Sequence, residues 1–116
     1  MVLKFFLNVS REEQKRRFLE RIAEPEKNWK FSAADVRERA HWDAYMDAYE
    51  TMIRETSAPH APWYVVPADN KWYTRVVVAG AIVDTLERLD LHYPTLDKAQ
   101  RAELAAARKS LAAEKK

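Results

Sequence analysis

Arg17 and Arg21 stand four positions apart in a stretch that reads as helix, so both project from one face. Arg16, Lys27 and Lys30 lie close by in sequence. A guanidinium presents a rigid fork of donors that matches phosphate oxygens, and an ammonium adds a compact charge. Several such groups on a mobile segment are how a lid closes over a polyanion. The same charges also suit an ordinary solvated face balanced by Glu12, Glu13 and Glu20, and spacing alone favours that plainer reading.

A second set follows the segment Trp63 to Val66. Asp69, Asn70 and Lys71 sit beyond what reads as the carboxyl end of a strand, where open α/β sheets bind ligands. An ordinary helix cap, with Asp69 accepting a backbone N–H, explains the same residues. Trp29, Trp42, Trp63 and Trp72 can stack a base, or can serve as core and seam residues.

Other chemistry is excluded or unsupported. The chain has no Cys, so a disulfide framework, a zinc-thiolate site and a cysteine nucleophile are ruled out. His41, His60 and His92 are scattered, with no pair at helical spacing, and no metal site is expected. The single glycine, Gly80, decides more. A phosphate loop needs two glycines, a dinucleotide fingerprint three, and a nucleophile elbow two, so this sequence contains none of them.

The elements that must position these residues can be read from pattern. Val2 to Val9 is an apolar, aromatic run expected as a buried strand. Ser10 and Glu13 form a capping box that opens a helix with Phe18, Leu19 and Ile22 inward, ending before Pro25. Glu24 to Phe31 reads as loop. Ser32 and Asp35 open a long amphipathic helix to Thr56, with Val36, Ala40, Tyr45, Tyr49, Met52 and Ile53 on its apolar face. Pro59 and Pro62 force an extended connection.

Trp63 to Val66 is a second strand, stopped by Pro67. Asp69 and Asn70 open a helix with Val76, Ala79, Val83 and Leu86 as its apolar stripe, and Gly80 suggests a close neighbour. Thr95 is the expected cap of a last, alanine-rich helix that frays towards Lys116.

The order is β-α-α-β-α-α, which implies parallel pairing, a mostly helical chain and an α/β architecture. A length of 116 residues allows one domain. Two strands are too few for a parallel sheet this apolar, so the chain reads as a single partial domain, 1–116, the end of a larger α/β domain. A net charge of +2 does not mark a nucleic-acid binder. The apolar run Val76 to Val83 is far short of the roughly 18 to 20 residues that span a bilayer, and no signal peptide is evident. A cytoplasmic protein with no membrane partner is expected.

Several motifs together carry a resemblance. Val2-Leu3-Lys4-Phe5-Phe6-Leu7, Glu12-Glu13-Gln14-Lys15-Arg16-Arg17-Phe18 and Pro25-Glu26-Lys27-Asn28-Trp29-Lys30-Phe31-Ser32 resemble the polyphosphate kinase 2 family. Ala61-Pro62-Trp63-Tyr64-Val65-Val66-Pro67-Ala68-Asp69-Asn70-Lys71-Trp72 and Leu91-His92-Tyr93-Pro94 are similar to its closing segments, in the right order. The resemblance implies the C-terminal portion of a P-loop kinase-like three-layer α/β/α fold, with a lid region at about 10–58. It implies transfer of phosphoryl groups between polyphosphate and nucleotides of the ADP/AMP class, with magnesium. The family's glycine-rich phosphate loop and its magnesium-organising aspartate-arginine motif precede the matched segment.

By this resemblance Arg21 is the main lid arginine and Arg17 the second. Lys27 and Lys30 match lid positions, and Asp69, Asn70 and Lys71 lie near the nucleotide pocket. The chain is then expected to be a fragment of a polyphosphate:nucleotide phosphotransferase, inactive alone. It would associate with its missing N-terminal half or with a second copy of itself. The alternatives are a non-catalytic polyanion-binding module and a helical interaction protein that dimerises through its strand edges.

Overall fold

The computed structural model of the chain describes residues 1–115. Two strands, β1 (Lys4–Asn8) and β2 (Trp63–Pro67), form a parallel sheet. Between them lie α1 (Arg11–Ala23), a 3₁₀ turn (Pro25–Lys30), α2 (Ala33–Glu38), a second 3₁₀ turn (Arg39–His41) and α3 (Trp42–Thr56). After β2 come α4 (Lys71–Arg88) and α5 (Lys98–Ala113). The chain forms two compact units, one of Met1–Thr85 and one beginning at Leu86.

In the first unit the register sets Lys4 beside Trp63 and Asn8 beside Pro67. Alternation then puts Phe5, Leu7, Tyr64 and Val66 on one face, and Lys4, Phe6, Trp63 and Val65 on the other. Phe5 stacks on Tyr64 at 5.3 Å between ring centres. Phe6 packs on Tyr49 of α3 at 4.9 Å. The end of α3 is fastened to the strand starts. The Trp63 indole N–H donates to the Thr56 hydroxyl at 2.7 Å, and Lys4 Nζ donates to the Thr56 carbonyl while lying 5.3 Å over the Trp63 ring. Ala68 N–H donates to the Asn8 carbonyl at 3.0 Å, carrying the pairing past Pro67, which has no N–H to give.

Several expectations change. The helix expected from Ser32 to Thr56 is broken at residues 39–41, so the order is β-α-α-α-β-α-α. Arg39 is pulled back towards α1, donating to the Gln14 side-chain oxygen at 2.7 Å and the Arg11 carbonyl at 3.1 Å. His41 leaves the helical region at φ −98° and ψ 22°. The axis then restarts, and Trp42, Met46, Tyr49, Met52 and Ile53 turn inward, while Val36, Ala40 and Tyr45 are exposed. Glu24 to Phe31, expected as loop, is mostly 3₁₀ helix.

On α4 the half-buried positions are Thr74, Val77, Val78, Ala81 and Thr85 rather than the stripe expected. Val76 is 61% exposed and Val83 53%. A Cβ built on Gly80 meets nothing within 4 Å, so no close neighbour explains that glycine among the described residues. In the second unit Asp97, not Thr95, caps α5. Its carboxylate accepts the Gln100 N–H at 2.8 Å, and the Gln100 side chain accepts the Asp97 N–H at 3.1 Å. This reciprocal pair satisfies two end groups at once, which a threonine hydroxyl two residues earlier cannot. Lys116 lies outside the described residues.

Among the described residues only Val66 and Ala68 are buried. A parallel sheet of hydrophobic strands is normally covered on both faces and has more members. Here each strand has one neighbour, and Leu7 and Val65 are each more than half exposed.

Candidate functional site

The site is built at the two ends of the sheet's carboxyl side, where β1 runs into α1 and β2 runs into α4. Ser10 caps α1, its hydroxyl accepting the Glu13 N–H at 3.1 Å. Half of the expected capping box is therefore present. The Glu13 carboxylate does not return to Ser10. It accepts from Arg16 at 2.6 and 2.8 Å and from Arg17 Nε at 2.9 Å. The Arg16 hydrogen bond is the chief cause that holds the Glu13 carboxyl down to about 2, with Arg17 adding to it against the cost of desolvation. The Ser10 N–H left over is taken by Asp69 Oδ1 at 2.7 Å, 59 residues away in sequence.

Arg17 is the next fastening. Its Nη2 donates to the carbonyls of Ala68 at 2.8 Å and Asp69 at 3.1 Å, in the turn between β2 and α4. Arg21, one helical turn further, makes no ion pair among the described residues, and its guanidinium carbon lies 5.7 Å from the Phe18 ring centre. The C-terminal end of α1 is closed by one side chain. The Asn28 amide nitrogen donates to the carbonyls of Arg21, Ile22 and Glu24 at 2.9 to 3.1 Å. The Arg21 and Ile22 carbonyls have no partner within the helix, and capping them folds the 3₁₀ turn back against it. Lys27 in that turn pairs with Glu24, whose hydrogen bond raises the lysine above its ordinary value. Lys30 lies 5.0 Å over the Trp29 ring.

Arg17, Arg21, Lys27, Lys30 and Lys71 thereby line one open cleft of about 230 Å³, with Glu20 as the one acidic residue. The Glu20 carboxylate is itself held by Arg16 at 3.1 Å. Arg17 is paired with Glu13 and Lys27 with Glu24, which leaves Arg21, Lys30 and Lys71 without an ion pair among the described residues, and these three make a positive basin suited to a chain of phosphates. The four lid positions read from sequence are brought together, and Lys71 joins them from the other strand's end. Asp69 and Asn70 do not line this cleft. The Asp69 carboxylate is not the cap of α4 but the acceptor for Ser10, and the Asn70 carbonyl accepts the Thr74 N–H at 3.1 Å.

A second cleft, of about 440 Å³, was not foreseen. Phe6, Phe18, Trp42, Met46 and Tyr49 supply its apolar wall, with Asp35, Glu38 and Arg39 at its polar side. The Tyr45 hydroxyl donates to Glu38 at 2.6 Å, which raises the phenol above its ordinary value. The spacing of Trp42, Met46 and Tyr49, steps of four and three, was the available signal. Among the described residues no three His, Asp or Glu gather to hold a metal, and no helix is long and apolar enough to cross a membrane.

Comparison with known proteins gives this geometry a context. The family model described as Polyphosphate kinase 2 matches residues 1–94. The chain is 59% identical over 114 residues to a protein of Leptolyngbya boryana named only for its place in the chlN 3' region, covering 98% of this chain and 84% of that protein. It is 54% identical over 110 residues to the ADP-polyphosphate phosphotransferase of Rhodopseudomonas palustris, covering 95% of this chain but 38% of that one. The crystal structure of polyphosphate kinase 2 from Arthrobacter aurescens TC1 superposes with a TM-score of 0.76 at 44% identity, over 90% of this chain and 38% of that chain. The chain thus spans less than two fifths of the relatives whose names state an activity. The match over most of the sequence, with the same fold at this identity, leads to one conclusion: the chain belongs to the polyphosphate kinase 2 family.

Proposed function

We propose that this chain is the lid-bearing part of a polyphosphate:nucleotide phosphotransferase and that its basic cleft grips polyphosphate during transfer to or from a nucleotide of the ADP/AMP class. The supporting observation is the cleft that gathers Arg17, Arg21, Lys27, Lys30 and Lys71 from two strand ends. Phosphoryl transfer asks little covalent chemistry of a protein. It needs in-line positioning and positive charge against the three oxygens of the moving group. Preplaced guanidinium and ammonium groups supply both, and they act most strongly where charge develops. Magnesium serves the intact family enzyme by resemblance. The part proposed for this chain is electrostatic, through the cations of its cleft.

Catalysis then requires a glycine-rich phosphate loop, which a sequence with one glycine does not contain. The exposed sheet edges and the exposed apolar positions Val76 and Val83 suit association with a family segment that carries such a loop. The cytoplasm, where nucleoside phosphates are held, is the proposed location. A second reading keeps the ligand and drops the reaction, as a polyanion-binding module. The single glycine favours it.

One experiment separates the two. The purified chain is titrated with polyphosphate at low and high salt, then assayed for ATP formation from ADP, alone and with the N-terminal part of the Rhodopseudomonas palustris relative. Salt-sensitive binding is expected, with turnover only in the mixture. Binding without turnover in either assay would favour the second reading. Absence of binding even at low salt would remove both.

A further inference from the structure

We infer that Ser10, Glu13, Arg17 and Asp69 form a latch that sets the spacing of the cations in the cleft, and that Arg17 is a positioning residue rather than a phosphate ligand. The inference rests on the proposed polyphosphate grip and assigns different work to two arginines that the sequence makes look alike.

The four residues close a circuit. Ser10 Oγ accepts the Glu13 N–H, the Glu13 carboxylate accepts Arg17 Nε, Arg17 Nη2 donates to the Asp69 carbonyl, and Asp69 Oδ1 accepts the Ser10 N–H. The circuit ties the first turn of α1 to the turn that opens α4. Arg21 lies one helical turn beyond Arg17, and Lys71 lies two residues beyond Asp69. The distance between these two cations is therefore set by the latch.

Arg17 is also poorly free to bind phosphate. A guanidinium grips an oxyanion through one of two forks, Nε with Nη2 or Nη1 with Nη2. Both forks contain Nη2, which already donates to two carbonyls. Nε is taken by Glu13. No such protein partner occupies Arg21 among the described residues, so it keeps both forks.

The sign of one mutation separates a latch from simple electrostatics. Asp69→Ala removes a negative charge close to the cleft. If charge alone mattered, polyphosphate would bind more tightly. The latch requires weaker binding, about threefold to tenfold, because the acceptor for Ser10 is gone. Asp69→Asn loses the same charge but keeps an acceptor, so it should bind at least as well as wild type. Arg17→Ala should weaken binding with little change in the slope of log affinity against log salt. Arg21→Ala should lower that slope by about one, as expected for a lost phosphate contact.

A second readout does not depend on binding. Exchange of the Ser10 amide hydrogen, measured on the full chain, should speed up by about tenfold or more in Asp69→Ala and Arg17→Ala but not in Arg21→Ala. Tighter binding by Asp69→Ala, or an unchanged Ser10 amide in both latch variants, would overturn the inference. A wild-type chain that binds no polyphosphate but keeps the exchange pattern would refute the grip and leave the latch standing.

Discussion

The two ends of α1 use the same kinds of residue for opposite purposes. At the start, Arg16 and Arg17 are bound to Glu13, and Arg17 also reaches the carbonyls of Ala68 and Asp69. At the far end, Arg21 faces the cleft without an ion pair among the described residues, and Lys30 has only the Trp29 ring. Of the far end's cations only Lys27 is spent, on Glu24, because the neutral Asn28 amide closes the last turn. A basic cluster is thus not one thing. Charges that hold the backbone are unavailable to a ligand, and a neutral cap is what leaves the others available.

The contrast is tested most strongly by stripping the far end. The double variant Arg21→Ala, Lys30→Ala should weaken polyphosphate binding on the order of a hundredfold at low salt, by loss of two charge-assisted contacts. Its melting temperature should stay close to wild type. A stable double variant that still bound with wild-type affinity would break the contrast.

Next in size, the near end should matter for stability. Ser10→Ala removes the α1 cap and should cost about 1 kcal/mol in denaturant unfolding. An unchanged midpoint would mean that the near end is not a structural fastening.

The smallest effect is a pH dependence. The Glu13 carboxyl falls from an ordinary 4.5 to about 2 on folding, chiefly through Arg16. A depressed folded value adds stability that is complete above 4.5 and is lost as pH falls towards 2. Glu13→Gln should flatten the acid limb of the stability curve in that window. An acid limb identical in Glu13→Gln would place the acid sensitivity elsewhere.

Much of this was legible in sequence because it is local. Proline before Glu26, Ser10 and Ser32 before their helices, and the apolar runs around Phe5 and Val65 each fix an element through nearest neighbours. The family motifs added the order of the pieces and pointed to Arg17, Arg21, Lys27 and Lys30. What could not be read was set by contacts distant along the chain. Arg39 reaching back to Gln14 breaks the long helix, and the five-residue step from Ala40 to Tyr45, too long for one helical face, was its only trace. Asp69 looked like a cap because its neighbours begin a helix, yet its partner is Ser10. The inward face of α4 was misread because both of its faces are apolar, and periodicity then carries little information.

The parallel pairing of β1 with β2 also dictates when each part of the molecule can form. The backbone hydrogen bonds inside α1, α2 and α3 each close over a few residues, whereas Ser10 and Asp69 must meet across 59. Local helices form faster than contacts of that separation. Helices α1 to α3 therefore come first in refolding, and the sheet closes last, with the cleft appearing only at that final step. The lag between recovery of helical signal and burial of Trp63, in a variant keeping that tryptophan alone, measures the interval during which the cations exist but have not yet been assembled.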